Sequence, residues 1–167
     1  FRTQEEPAYC GVSTLVMFLN ALEIAPGRVW KGVWRWWVEE MLDCCKTMDE
    51  VKVVGIHFDD FICLAKCKGL SVRATRAPGE DEEAAVNLLE VEESVVKRPR
   101  VHYLGQKTMT NFRETVRTVT AGNGKALLVC SYDRATLGQT GSGHFSPIGA
   151  YDEGTDSVLI LDVARFK

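Results

Sequence analysis

The sequence predicts an α+β protein, with a helical part first and an antiparallel sheet after it. Three observations carry that expectation. Apolar residues recur at helical spacing in the first half, at Val12, Leu15, Val16, Leu19 and Leu22. Short apolar or β-branched runs broken by Gly and Asp fill the second half. Between them lies an acidic stretch, residues 80–93, with seven carboxylates. Two packed lobes with a cleft between them are expected.

The first helix should begin just after Cys10 and end before Pro26-Gly27, which cannot continue it. A second is expected over 59–68, with Asp59 as N-cap and Gly69 as the stop. Residues 70–76 alternate as a strand does. The acidic stretch, followed by Lys97, Arg98 and Arg100 around Pro99, reads as a solvated insertion over 79–107. Residues 126–132, 144–151 and 157–163 are then the expected antiparallel strands.

Composition narrows the function. A chain of 167 residues that is 46% hydrophobic can build one core without disulfides, so residues 1–167 are expected to form a single domain. A net charge of −3 with no basic cluster argues against a nucleic-acid surface and for metabolites or peptides as partners. No run approaches the roughly 18 apolar residues of a membrane span. Residues 1–7 have neither the basic nor the apolar region of a signal peptide, so an intracellular, cytoplasmic protein is expected. Of six cysteines, Cys44 and Cys45 are adjacent, poor geometry for an ordinary bridge framework. Thiols would then serve catalysis, metal binding or packing.

The strongest chemical signal is Gln4-Glu5-Glu6-Pro7-Ala8-Tyr9-Cys10-Gly11, immediately ahead of the first helix. A thiol at a helix N-terminus feels unpaired backbone N–H groups, which favour its thiolate. The N–H of Cys10 can also face the oxygen of an attacked carbonyl, and the Gln4 amide can supply a second donor. Cys10 alone reads sooner as a packed helix-start cysteine; the other residues reverse that reading. His144 opens a strand after Gly141-Ser142-Gly143, where glycines permit close approach of another group. Asp162 is the only charge in the run Leu159-Ile160-Leu161-Asp162-Val163, and a buried carboxylate must be paired. A hairpin would let Asp162 orient His144 while the other ring nitrogen deprotonates Cys10. Positions 10 and 144 are 134 residues apart, within the roughly 130 to 150 of papain-like enzymes. Gly11 replaces the aromatic residue that follows the nucleophile in papain itself.

With these residues in place, the chain resembles the phytochelatin synthases, the glutathione γ-glutamylcysteinyltransferases. The matching stretches include Thr3-Gln4, Glu6-Pro7-Ala8-Tyr9-Cys10-Gly11, Leu19-Asn20-Ala21-Leu22, Pro26-Gly27-Arg28, Trp30-Lys31-Gly32 and Trp34-Arg35-Trp36. They continue with Met41-Leu42-Asp43-Cys44-Cys45, Gln139-Thr140-Gly141, Gly143-His144-Phe145-Ser146-Pro147-Ile148-Gly149 and the run from Leu159 to Lys167. The resemblance implies a papain-like cysteine protease fold, with a nucleophile helix followed by an antiparallel sheet. It implies that Cys10 attacks glutathione, releases glycine and passes a γ-Glu-Cys unit to glutathione or a growing phytochelatin. His144 would be base and acid, Asp162 its orienter and Gln4 an oxyanion donor. It also implies a domain that continues beyond both ends of this chain.

Cys63 and Cys67 share a helical face opposite the stripe Phe58, Phe61, Ile62 and Ala65, with Asp60 beside them. With Cys44 and Cys45 they could hold a soft cation such as Cd²⁺ or Zn²⁺, or be packed or idle. The resemblance suggests metal-dependent activity, with the metal as activator or as a thiolate complex of the substrate, and no organic cofactor. Trp30, Trp34, Trp36 and Trp37 read as packing residues rather than a substrate platform. Arg165 is expected to bind a substrate carboxylate or to form a surface ion pair. His57 and His102 receive no chemistry. Three functions follow: dipeptidyl transfer; hydrolysis of glycine from glutathione or its conjugates by the same nucleophile; and non-enzymatic buffering of metals by thiols.

Overall fold

The computed structural model describes residues 1–27, 36–77, 101–103 (through the backbone), 109–122 and 125–165. Helix α1 spans Cys10–Ala21, α2 Met48–Val54, α3 Phe58–Cys67 and α4 Met109–Thr120. Strands β1 (Val72–Ala74) and β2 (Val101–Tyr103) pair in parallel. Strands β3 (Leu128–Tyr132), β4 (His144–Asp152) and β5 (Ser157–Ile160) form an antiparallel sheet in the order β3-β4-β5. Helices precede that sheet, as expected for an α+β chain. Among the described residues no helix is long and apolar enough to cross a membrane.

Helix α1 forms because Val12, Leu15, Val16 and Leu19 fall on one stripe, and all four are fully buried. They pack with Trp37, Met41, Leu42, Val51, Phe61, Leu64 and, from the sheet, Phe145. The core therefore runs without a break from the helices into β4. Phe61 of α3 stacks on Phe145 at 5.1 Å between ring centroids, and Thr14 Oγ1 donates to the Phe145 carbonyl at 3.2 Å. Together these contacts seat α1 and α3 on the start of β4.

Helix α3 starts one residue before the expected boundary. His57, not Asp59, is its N-cap: the Asp60 carboxylate turns back to accept the His57 N–H at 2.9 Å. Gly69 ends the turn with φ +90°, as its position suggested. Helices α2 and α4 were not expected. Helix α2 carries a capping box between Thr47 and Glu50, a signature legible as Thr-x-x-Glu. Helix α4 is rich in Thr and Val, and only Val116 is buried among its described side chains.

The cysteines correct the sequence-based reading. Cys44 is bonded to Cys67 and Cys45 to Cys63, with Cα–Cα distances of 6.6 and 6.2 Å. Adjacent cysteines can do this because their partners lie one turn apart on α3, so each loop sulfur reaches a different turn. In this state the four sulfurs are not thiolate metal ligands. Trp37 is a core residue, its indole N–H donating to the Ile24 carbonyl at 2.7 Å. Trp30, Trp34 and the expected insertion lie outside the described residues, apart from the strand Val101–Tyr103.

Candidate active site

Cys10 is the first residue of α1, where helix geometry leaves backbone N–H groups unpaired. Its thiol is half-buried, and burial pushes its pKa up. Backbone hydrogen bonding from Phe145, Gly11 and Cys10 itself opposes that rise, as does the charge of Arg134. Phe145, the residue next to His144, is thus among the backbone groups that lower the pKa of the thiol.

Gly143, at φ +57°, turns the chain into β4 and delivers His144 to the strand start. A Cβ at Gly141 or Gly143 would meet nothing within 4 Å. Their role is therefore the left-handed turn rather than the close approach expected from the sequence. A register shift between Ile148 and Ala150 places Gly149 at a bulge, where a Cβ would lie 3.0 Å from the Leu161 side chain. Leu161 N donates to the Pro147 carbonyl at 2.9 Å, extending the hairpin beyond β5 and bringing Asp162 beside His144.

His144 Nε2 and Asp162 Oδ1 are 2.8 Å apart. The same oxygen accepts the Ala164 N–H at 2.8 Å. Burial pulls the His144 pKa down, against the upward pull of Asp162. Burial would raise the Asp162 carboxyl, but the Ala164 amide and His144 together bring it below its ordinary value. Tyr132 sets its ring edge-on to the imidazole at 5.6 Å between centroids, and its hydroxyl pairs with Ser146 at 3.3 Å. Nε2 is committed to Asp162, so Nδ1 is the ring nitrogen not engaged with that carboxylate.

Gln4 is buried, and its amide nitrogen donates to the carbonyls of Glu6 (3.0 Å) and Pro7 (2.7 Å), with Oε1 unpaired among the described residues. It braces the turn that leads into Cys10 rather than presenting its N–H groups to the thiol. Its own backbone N–H binds the Val163 carbonyl at 2.8 Å, tying the nucleophile segment to the residue after Asp162. Arg165 is exposed and donates to the Thr3 hydroxyl at 3.5 Å. His57 caps α3, outside this constellation.

Sequence reasoning missed Arg134. It is buried, its Nε donates to Gln139 Oε1 at 3.1 Å, and one terminal nitrogen has no hydrogen-bond partner among the described residues. Its charge acts on Cys10, His144 and Asp162 alike. An arginine just after a strand looks like a surface residue in one dimension; only the packing buries it. Glu39 was missed for the same reason: fully buried, it accepts a hydrogen bond from Ser13 of α1 and lies 3.5 Å from Arg2.

A thiol at a helix start, an imidazole on a strand and a carboxylate behind it are the parts that a cysteine acyl-transfer centre would need. Comparison with known proteins gives the family. The glutathione γ-glutamylcysteinyltransferase 3 of Lotus japonicus is 43% identical over 167 residues, covering 100% of this chain and 29% of that protein. The glutathione γ-glutamylcysteinyltransferase 1 of Arabidopsis thaliana is 43% identical over the same length and coverage. The glutathione γ-glutamylcysteinyltransferase of Schizosaccharomyces pombe is 38% identical over 165 residues, 99% of this chain and 33% of that protein. The chain spans 29% to 33% of the length of these relatives. A phytochelatin synthase family model matches residues 1–167, and the chain belongs to the phytochelatin synthase family.

Proposed function

We propose that this chain carries the catalytic centre of a γ-glutamylcysteine dipeptidyl transferase with a papain-like fold, acting on glutathione. The observation that supports this most is the 2.8 Å contact between His144 Nε2 and Asp162 Oδ1, which leaves Nδ1 as the ring nitrogen that would serve Cys10. Burial raises the Cys10 pKa and lowers that of His144, so both shifts favour an uncharged resting pair. Proton transfer then accompanies attack.

In the first half-reaction, His144 Nδ1 takes the Cys10 proton as Sγ adds to the carbonyl carbon of the Cys–Gly amide of glutathione. The oxyanion is held by the Cys10 N–H and by a Gln4 N–H released from its carbonyl partner. The imidazolium, paired with Asp162, returns the proton to the glycine nitrogen as the C–N bond breaks. Glycine leaves, and the γ-Glu-Cys unit remains as a thioester. In the second half-reaction the amine of another glutathione, or of a phytochelatin, loses its proton to His144 and attacks. The C–S bond breaks and Cys10 recovers its proton. Arg165, exposed beside Thr3, pairs with a substrate carboxylate.

Among the described residues, no group of three or more His, Cys, Asp or Glu side chains is placed to hold a metal ion in the disulfide-bonded state. Cd²⁺ or Zn²⁺ enters this reading as a thiolate complex of glutathione or phytochelatin, because a soft cation selects sulfur donors. The test is mass spectrometry of products from glutathione, with and without Cd²⁺, for this chain and Cys10→Ser. Products longer by γ-Glu-Cys units, lost in the variant, are expected. Only γ-Glu-Cys and glycine would make it a hydrolase. Turnover that survives in Cys10→Ser would refute the assignment of the nucleophile.

A further inference from the structure

We propose that Tyr132 is a positioning residue of the centre: its ring, pinned through its hydroxyl to Ser146, holds the His144 imidazole in the orientation that points Nε2 at Asp162. This deepens the reading of His144 as the base and rests on it. The outer torsion of a histidine side chain is broad, so the ring has no strong orientation of its own. The 2.8 Å contact with Asp162 fixes one ring atom and leaves the ring free to swing about it. A second contact on the ring removes that freedom.

Strand pairing supplies that contact. Tyr132 ends β3 directly opposite His144 in the antiparallel register, so both side chains leave the sheet on the same face. Ser146, two residues further along β4, lies on that face too. The tyrosine ring stands at 82° to the imidazole with centroids 5.6 Å apart, and its hydroxyl reaches diagonally to Ser146 at 3.3 Å. Ser146 is fully buried, so the pin is anchored in the core rather than in solvent. Burial first, and the charge of Asp162 with it, raises the Tyr132 pKa; the Ser146 bond only opposes that rise. The phenol therefore keeps its proton across the working range and takes no part as acid or base. What it offers His144 is a fixed wall and shelter from water.

The shelter also sets the sign of a pH effect. Burial is the largest cause that lowers the His144 pKa; Asp162 raises it and Arg134 lowers it, and both charges stay when Tyr132 is changed. Removing the ring admits water, so the imidazole should then protonate at higher pH. Loss of the Asp162 charge would move it the other way. A general loss of stability would move it in neither direction.

The test follows the imidazole directly, by nitrogen NMR of labelled histidine in the Cys10→Ser form of the chain, with the His144 signal assigned by its loss in His144→Gln. In the Cys10→Ser protein the shifts should show one tautomer, protonated at Nε2. Adding Tyr132→Ala should mix the tautomers and raise the His144 pKa, whereas Tyr132→Phe, which keeps the ring, should leave both unchanged. With Cys10 restored, Tyr132→Ala should lower kcat for glycine release from glutathione by about tenfold to 10²-fold, with KM little changed and the acid limb of kcat/KM moved up. Tyr132→Phe should stay within about threefold of the unaltered chain. Should Tyr132→Ala fail to fold by circular dichroism, Tyr132→Leu takes its place, with shifts expected in the same directions. An unmoved tautomer and pKa without the ring, or a loss in Tyr132→Phe as large as in Tyr132→Ala, would overturn the proposal. The imidazole readouts do not involve turnover, so the proposal and the transferase reading fail separately.

Discussion

Asp162→Asn offers the sharpest test of the centre. One oxygen of Asp162 accepts from both His144 Nε2 and Ala164 N, each at 2.8 Å. An asparagine can place its carbonyl oxygen at that same point and keep both bonds. Nε2 then stays protonated, and the tautomer that frees Nδ1 survives. What is lost is the charge behind the imidazolium. A hydrogen bond to a charged group contributes about 1.5–3 kcal/mol against about 0.5–1.5 for a neutral one. Because the bond is kept and only its charge is lost, the difference of about 1–1.5 kcal/mol lowers kcat/KM by about 5- to 13-fold. A flipped tautomer would cost about 10⁴. The pH profile adds a second readout. Asp162 raises the pKa of His144, so removing its charge lets the imidazole stay unprotonated to lower pH. The acid limb of kcat/KM should move to lower pH while the plateau falls. The assay is glycine release from glutathione across pH 4 to 9. A fall under about threefold, or an acid limb that moves up, would refute the role of Asp162. A loss near 10⁴ would mean that its oxygen is not the shared acceptor.

Three further predictions concern the frame around the site. A Cβ at Gly11 would lie 2.4 and 2.6 Å from Ile56 side-chain atoms and 3.2 Å from the Phe145 ring. Overpacking of about 1–3 kcal/mol outweighs the roughly 1 kcal/mol of helix propensity that Gly11→Ala gains. Urea denaturation should show a net loss, with reduced turnover; a variant both more stable and fully active would contradict the packing described. Burial raises the pKa of Glu39 above its unfolded value, so the folded state binds more protons and stability declines as pH rises past the ordinary carboxylate range. Glu39→Gln keeps an acceptor for Ser13 and should flatten the dependence of Tm on pH between 4 and 8; a steeper dependence would count against the sign. Asp156 is held at about 2, first by Arg113 and then by Tyr151. Its stabilisation is complete above the unfolded value of about 3.9 and is lost as pH falls through about 2. In Asp156→Asn that segment of the acid unfolding curve should disappear, and an unchanged curve would show that the pair is idle.

How far the sequence could be read follows from how local each cause is. Helix α1, the turn at Gly69 and the strand runs depend on spacing and single-residue conformations, so their existence and starts were legible, while α1 and β5 end several residues earlier than expected. The pairing of His144 with Asp162 was legible because a lone carboxylate in an apolar run needs a partner, and a hairpin supplies one. Helix α4 was not, because its Thr- and Val-rich sequence carries weak helical propensity and its fold is decided by docking on the sheet. Arg134 and Glu39 look like solvated charges until the packing around them is known. The cysteine pairing required knowing that the loop after Leu42 lies along α3. The Gln4 amide shows the same limit at atomic scale: its identity and position suited an oxyanion donor, but its hydrogen bonds go to Glu6 and Pro7.

The backbone bond from Gln4 to Val163 joins positions near opposite ends of the 167-residue sequence. A chain emerging residue by residue exposes Cys10 early and His144 and Asp162 late. Until Val163 has arrived, the backbone bond that anchors the segment leading into Cys10 is not in place. In the proposed centre, Cys10 therefore lacks its base until the β4–β5 hairpin closes. The cost is kinetic: a contact this distant in sequence makes assembly of the centre a late and slow event in folding. Variants that loosen the β4–β5 hairpin should accumulate as chains with an intact core and an unready cysteine, an outcome that equilibrium stability alone would not disclose.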